Sequence, residues 1–341
     1  MRLSFLMFGT AVLCFGAGGC ATAPVVSPLP TAKVVARGET APVGTANADA
    51  ADDPAIWRNP VDPAKSLIVG TDKKAGLYVY GMDGAVLDFA PDGLLNNVDM
   101  VDLGENGAIV AASDRGDPIN AAIRLYRLSA AGKLTAIGTV PGGSGEGYGF
   151  CLHQTDEALL AYSVLKDGTI AEFALDLGTP SSTPLRKMAV PSQPEGCVVD
   201  PRDGTLYIGE ENAGIWRFPA GTATGEIVAP IDNAELIADV EGLALVPQGE
   251  TGGWLIASSQ GDSAYAVYRL PGIEYAGRFR IVAGDYGATD ETDGIEAKSG
   301  NFGPDFPNGI FLAQDGVNAG GAQNFKMVRW DEIIAALELD R

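Results

Sequence analysis

The chain has 341 residues, 46% of them hydrophobic, with 44 acidic against 23 basic side chains and a formal net charge of -21. That apolar content supports a substantial core, and the acidity excludes a nucleic-acid partner, because phosphate backbones demand a basic surface. A single histidine and four cysteines leave zinc, copper or iron sites built on imidazole or thiolate without a ligand set.

Residues 1–19 carry one Arg, an apolar run of about a dozen residues and a small-residue stretch ending before Cys20. This is an export signal, too short for a transmembrane anchor. Ala17-Gly18-Gly19-Cys20 resembles a bacterial lipobox, which would place a lipid on Cys20 and make the protein an outer-membrane or periplasmic lipoprotein. The usual Leu at the first lipobox position is missing, and a free, secreted chain is the alternative. Residues 20–38, rich in Ala, Pro and Val, form an N-terminal tether, and residues 39–341 a single domain.

From residue 49 onward one phrase recurs: ADDPAIW (Asp53), NNVDMVDL (Asp99), GEGYGFCL (Glu146), QPEGCVVD (Glu195), DVEGLALV (Glu241) and TDGIEAKS (Asp293). Successive anchors are 46, 47, 49, 46 and 52 residues apart. A second phrase answers each anchor downstream, beginning at Gly76, Ile123, Thr169, Gly214, Ala264 and Asn324. The stretch Ser192–Phe218 shows the unit most plainly: three short apolar runs separated by Asp/Gly/Pro turn signals, an antiparallel meander. A period in the forties with several strands per unit marks a propeller blade. Six anchors predict an all-β, six-bladed β-propeller whose innermost strands bring their acidic residues to one mouth.

Cys151 and Cys197 each follow an anchor in consecutive units and belong on adjacent inner strands; two buried thiols and a disulfide are both open readings. Residues 330–341, with Ile333, Ile334 and Leu337 at helical spacing, predict a short closing helix. The segment Ala32–Arg37 has strand character and no unit of its own, so it is expected to complete the last blade.

No GxSxG elbow, Walker loop, HExxH helix, RHG phrase or cysteine-phosphatase loop is present. His153 has no second histidine to share a metal and reads as structural. What remains is oxygen ligands: Glu39, Asp52, Asp53, Glu195, Glu210, Glu211, Asp239, Glu241, Asp290, Asp293 and Asp315. Such a set suits a hard ion, above all Ca²⁺. Lys73, Lys74, Arg115 and Lys166 end the second run of the first three units, where the fourth unit has Glu210 and Glu211. A mouth half cationic and half acidic suits a substrate with several phosphates.

With these residues in place, the chain resembles the β-propeller phytases, the calcium-dependent alkaline phytase family. The resembling segments include DAADDPAIW (49–57), TDKKAGLYVY (71–80), LLNNVDMV (94–101), EGYGF (146–150), SQPEGCVVD (192–200), LYIGEENAGIW (206–216), DVEGL (239–243), TDGIE (292–296) and QNFKMVRW (323–330), in family order. The resemblance implies a monomeric 3-phytase-type phosphomonoesterase that takes phytate, as its calcium complex, to lower inositol phosphates by attack of a calcium-activated water. It implies catalytic calcium ligands at Glu39, Asp52, Glu195, Glu211, Asp239 and Glu241. Phosphate contacts fall at Lys73, Lys74, Arg115, Tyr148 and Lys166, with Asn96, Asn97 and Asp293 beside them; Asp293 counts with the catalytic and the metal-binding residues. Structural calcium falls to Asp53, the Val98 carbonyl and the Asp315–Asn318 loop. Glu39 carries over only with one inserted residue before Asp49. Asp72, Asp114 and Val317 depart from the family pattern, and an apolar side chain at 317 cannot coordinate. Two other readings are a calcium-stabilised propeller that only binds a partner, and a lactonase-type propeller esterase.

Overall fold

The computed structural model describes residues 25–319 and 321–340; the signal segment and Cys20 lie outside them. Two short strands, β1 (Ala32–Val35) and β2 (Gly38–Glu39), precede a repeat of antiparallel meanders. Blade one is β3 (Ala51–Trp57), β4 (Leu67–Asp72), β5 (Gly76–Gly81) and β6 (Val86–Ala90). Blade two is β7 (Leu95–Asp102), β8 (Ala108–Asp114), β9 (Asn120–Leu128) and β10 (Leu134–Ser144). Blade three is β11 (Gly147–Gln154), β12 (Leu159–Leu165), β13 (Thr169–Asp176) and β14 (Ser181–Ala189). Blade four is β15 (Pro194–Val199), β16 (Leu206–Glu210), β17 (Gly214–Phe218) and β18 (Glu226–Pro230). Blade five is β19 (Val240–Gln248), β20 (Gly252–Ser259), β21 (Ala264–Leu270) and β22 (Glu274–Val282). Blade six has only β23 (Ile295–Lys298), β24 (Ile310–Asp315) and β25 (Asn324–Arg329), followed by helix α1 (Trp330–Ala336). The expected six-bladed propeller with its closing helix is present.

The sixth repeat lacks its outer strand, because the chain turns into α1 at Trp330. That leaves the β25 edge unpaired, a liability in any sheet. Strand β2 covers it, Gly38 against Met327 and Glu39 against Lys326. The expectation for Ala32–Arg37 needs correcting. The Arg37 N–H does reach the Met327 carbonyl of blade six, but β1 itself runs parallel to β22 as a fifth strand of blade five. The reason is side-chain packing. Val34 and Ala36 bury against Phe279, Ile281, Trp330, Ile333 and Ile334, a seam that only blade five and α1 together offer. The helix is shorter than the periodicity suggested, with Leu337 as its C-cap.

Neighbouring blades meet through apolar faces, as period-two strands buried on both sides require. Between blades five and six, Trp254, Tyr265, Phe279 and Phe311 are fully buried. There Tyr265 and Phe311 meet edge to face at 5.0 Å, a geometry that aromatic pairs favour. A disulfide between Cys151 and Cys197, Cα atoms 5.6 Å apart, ties the inner strands of blades three and four.

Candidate active site

The inner strands of blades one to five deliver their residues to the mouth by the same device, a break in register at the strand head. Pairing with the second strand skips from Ala51 to Pro54 in blade one, leaving Asp52 and Asp53 outside the ladder. It skips Asn96 and Asn97 in blade two, Tyr148 and Gly149 in blade three, Glu195 and Gly196 in blade four, and Glu241 and Gly242 in blade five. In blade six Asp293 and Gly294 stand just ahead of β23. Bulges re-aim side chains and free backbone from the ladder, so Asp52, Asn96, Tyr148, Glu195, Glu241 and Asp293 form an inner ring, one residue per blade. The following position is pressed against the next blade. A Cβ on Gly149 would stand 1.9 Å from the Glu195 carbonyl, and one on Gly196 2.1 Å from that of Glu241, which only glycine tolerates.

A second ring follows from the ends of the second strands. In blades one to five the first residue past that strand donates its N–H to the residue before the inner strand: Lys73 to Ala50, Arg115 to Leu94, Lys166 to Glu146, Glu211 to Gln193 and Gln260 to Asp239, at 2.7–3.2 Å. Blades one to three therefore place cations at the mouth, blade four a carboxylate and blade five an amide.

Three of these side chains close on one another. Glu195, Glu211 and Glu241 are buried, and each offers a carboxylate oxygen within 4.8 Å of the other two. Asn96 Nδ2 donates to Glu195 Oε1 at 2.8 Å, and Gln193 Nε2 to Glu211 Oε1 at 2.5 Å. Burial, then the Asp52 and Glu241 charges, push the Glu195 carboxyl well above its usual range. Burial pushes Glu241 up to about 8 and raises Glu211 and Asp239 as well. Burial, with Asp52 next, lifts Asp293 to about 7.

One cation already sits among these anions. Lys73 Nζ lies 2.8 Å from Asp49, 3.0 Å from Asp52 and 2.9 Å from Asp293. Burial alone would lower its pKa, but the Asp52 and Asp293 charges raise it. Arg115 donates to Asn96 Oδ1. Lys166 lies 3.3 Å from Glu146 and 4.7 Å above the Tyr148 ring. Asp293 Oδ1 accepts from Gln260 Nε2 at 2.7 Å, and a cavity of about 810 Å³ opens beside this pair.

Among the described residues no lysine or arginine forms an ion pair with Glu195, Glu211 or Glu241. Glu241 Oε2 is buried without a hydrogen-bond partner, and so are both Asp52 oxygens, whose contact with Lys73 lacks hydrogen-bond geometry. Buried anionic oxygens left unpaired are costly. An oxygen-only set of this kind fits a hard divalent ion such as Ca²⁺.

A phytase family model matches residues 4–341. The chain belongs to the phytase family. It is 39% identical over 327 residues to the 3-phytase of Bacillus subtilis (strain 168), covering 88% of this chain and 84% of that relative. Among solved structures, a chain of a mitotic checkpoint complex superposes with a TM-score of 0.52 at 14% identity, covering 90% of this chain and 82% of its own; that likeness concerns the fold alone.

The other residues singled out in this phytase sequence fall into place around the two rings. Lys74 is exposed beside Lys73, and Asn97 is buried beside Asn96 with its N–H on Ser113 Oγ. Asp53 Oδ2 accepts the Val98 N–H at 3.0 Å across the seam between blades one and two. Glu210 is engaged by Ser192 and by Trp216 Nε1, away from the ring. The carboxylate of Glu39 takes Lys326 and Asn324 as partners, in the closure of blade six. Asp315 is engaged by Lys326 and by loop N–H groups.

Three anchors of the sequence repeat lie off the inner ring, Asp53 being one residue past Asp52 and turned to the Val98 N–H. Asp99 sits three residues past Asn96 and accepts the Leu152 N–H at 2.8 Å, and Glu146 precedes Tyr148 by two. The repeat was aligned on carboxylates, whereas the structure repeats the bulge, which in blades two and three carries Asn and Tyr. Gln260 and Gln193 were missed. The SSQG phrase places Gln260 where the earlier units have Lys73, Arg115, Lys166 and Glu211, and that shared position was the available signal. His153, at the far end of β11, lines a cavity with Asp200-side residues Pro201 and Arg202, remote in the strand from Tyr148. It offers nothing to an esterase centred on the mouth.

Proposed function

We propose that this phytase hydrolyses phytate with calcium held by Glu195, Glu211 and Glu241, joined by Asp52 and Asp239. The observation that carries the reading is the convergence of three buried glutamates on one point, beside unpaired oxygens of Glu241 and Asp52. Bound calcium supplies charge neutralisation for phosphate and a lowered pKa for water. Arg115, Lys166 and Lys73 grip phosphate oxygens from blades one to three, Arg115 as a two-pronged donor. Tyr148 stays a neutral donor, because burial and the Glu195 charge hold its hydroxyl far above the usual phenol range. Asn96 keeps Glu195 oriented toward the metal while its own oxygen steadies Arg115.

The binding-only alternative predicts no turnover. Phosphate release from phytate is measured with excess calcium, after EDTA, and after calcium is restored. Activity should vanish and return. Glu195→Gln and Glu211→Gln, which keep shape and remove one ligand charge each, should lose most of kcat while keeping the circular dichroism spectrum. Full activity in EDTA overturns the reading.

We also propose export of this phytase with a lipid on Cys20. Support comes from the Cys151–Cys197 disulfide, a bond that persists in oxidising compartments. Mass spectrometry of the mature N-terminus checks it, and an unmodified residue there rejects it.

A further inference from the structure

We propose that the ammonium of Lys326 is the resident cation of the Asp315–Asn318 loop, in a cage of oxygens that would otherwise call for a divalent ion. Lys326 lies in the middle of β25, and its side chain is 0% exposed. Around Nζ stand Glu39 Oε2 at 2.5 Å, Asn324 Oδ1 at 3.0 Å, Asn318 Oδ1 at 3.2 Å and Asp315 Oδ2 at 3.2 Å. Two carboxylates and two amide oxygens from three chain segments converge on one point, a donor set suited to a hard cation. An ammonium offers three donors and no acceptor, and here it meets only oxygens.

The remaining atoms of the cage are turned to match. Asp315 Oδ1 accepts the N–H groups of Asp290, Val317 and Asn318. Asn318 Nδ2 donates to the Ala322 carbonyl at 2.7 Å, and Asn324 Nδ2 to Thr40 O at 3.1 Å. Both amides thus present oxygen to Lys326 because their nitrogens are fixed elsewhere. Val317 is exposed and apolar and adds no ligand. The loop does not fit a calcium ion while the lysine is there, since no oxygen of the set is left unpaired.

The position gives this cation a purpose. Glu39 belongs to β2, the strand that closes the ring, and it faces Lys326 across the β2–β25 ladder. Asp315 ends β24, and Asn318 lies in the loop beyond. A tethered charge therefore fastens three segments at the ring closure and cannot dissociate. Closure is independent of free calcium, whereas the glutamate cluster at the mouth lacks a counterion of its own.

The experiment counts bound calcium by equilibrium dialysis and records Tm with EDTA and with excess CaCl₂. Lys326→Ser leaves the four oxygens around a space without charge. Breaking a buried pair leaves unpaired anions, and the expected fall in EDTA is roughly 5–10 °C. Calcium should restore that loss, with one more ion bound than in the unaltered protein. Lys326→Met, which fills the space with an apolar stem, should fall equally and gain no ion. With Lys326 in place, Asp315→Asn should leave the calcium count unchanged. A lower count in Asp315→Asn would show a metal in the loop and overturn the proposal, and that measurement decides the matter even where Lys326→Ser does not fold. An unchanged count in a folded Lys326→Ser variant overturns it too. Neither result depends on phosphate release, so the catalytic reading stands or falls separately.

Discussion

Lys73 Nζ sits 2.9 Å from Asp293 Oδ2, joining residues 220 apart in the chain and fastening blade one to blade six at the rim of the mouth. The same ammonium lies 3.0 Å from Asp52. The lysine proposed to grip substrate phosphate is therefore also a counterion of Asp52 and Asp293. Its side chain is only 9% exposed, so it is no solvated rim residue.

Lys73→Met should expose this double role. Removing one partner of a buried ion pair costs about 3–5 kcal/mol, and the loss should be seen as a lower Tm in EDTA. Excess calcium should recover more Tm in the variant than in the unaltered protein, because it takes over the neutralisation of Asp52 and Asp293. Activity on phytate should not recover. Thermal melts with and without calcium, beside phytate assays, check both halves. Equal calcium gains in both proteins would remove Lys73 from the anion cluster.

The buried carboxylates also set a pH dependence for the metal-free protein. Burial places Asp293 at about 7 and Glu241 at about 8, against about 4 in an unfolded chain. Between those values the folded protein holds more protons than the unfolded one, so stability falls as pH rises. Tm in EDTA should decline from pH 5 to pH 8, and the stabilisation by calcium should be larger at pH 8. Melts at constant ionic strength test the sign; a Tm that rises over this range contradicts it.

Much of this architecture was legible in the sequence, and the limits have physical causes. The 46-residue step between Glu195 and Glu241 is one blade, and both residues stand on the inner ring. Asp52, Glu211 and Asp239 stand out in the sequence because a carboxylate near a strand end has few structural reasons to be there, and the structure places all three beside the inner strands' heads. Asp99 was misplaced in register because period-two alternation does not reveal a bulge, and a bulge shifts every later residue of its strand. Strand β1 was assigned to the wrong blade because Val34 pairs by packing with α1 and β22, partners far away in sequence. Gln260 escaped because an amide carries no charge to mark it.

The disulfide contributes separately from the metal. Cys151 and Cys197 enclose 46 residues of sequence separation, for which loop-closure entropy gives about 4 kcal/mol. The double change Cys151→Ala with Cys197→Ala should lower Tm in EDTA and in calcium by similar amounts, since neither cysteine touches the glutamate cluster. Thiol titration of the denatured, unreduced mature protein should find no thiol from these two positions. Two free thiols there would reject the bond.

The last expectation concerns substrate choice and uses the second ring as a whole. Lys73, Arg115 and Lys166 stand on blades one to three, while Glu211 and Gln260 take the equivalent places on blades four and five. Phytate presents adjacent phosphates, so one can meet the acidic side with its calcium while a neighbour meets the cations. A simple monoester such as p-nitrophenyl phosphate offers only the first. Lys166→Ala removes a charged hydrogen bond worth roughly 1.5–3 kcal/mol, about ten- to a hundredfold in kcat/KM on phytate, and should cost the monoester far less. Gln260→Leu acts through Asp293, whose Oδ1 it holds at 2.7 Å. That variant should lower kcat on both substrates, with little change in KM, whereas Gln260→Asn, with a shorter amide, should retain part of it. Parallel losses on both substrates for Lys166→Ala would mean that the lysine serves the reacting phosphate itself. A Gln260→Leu enzyme with unaltered kcat would mean that Lys73 alone suffices to hold Asp293.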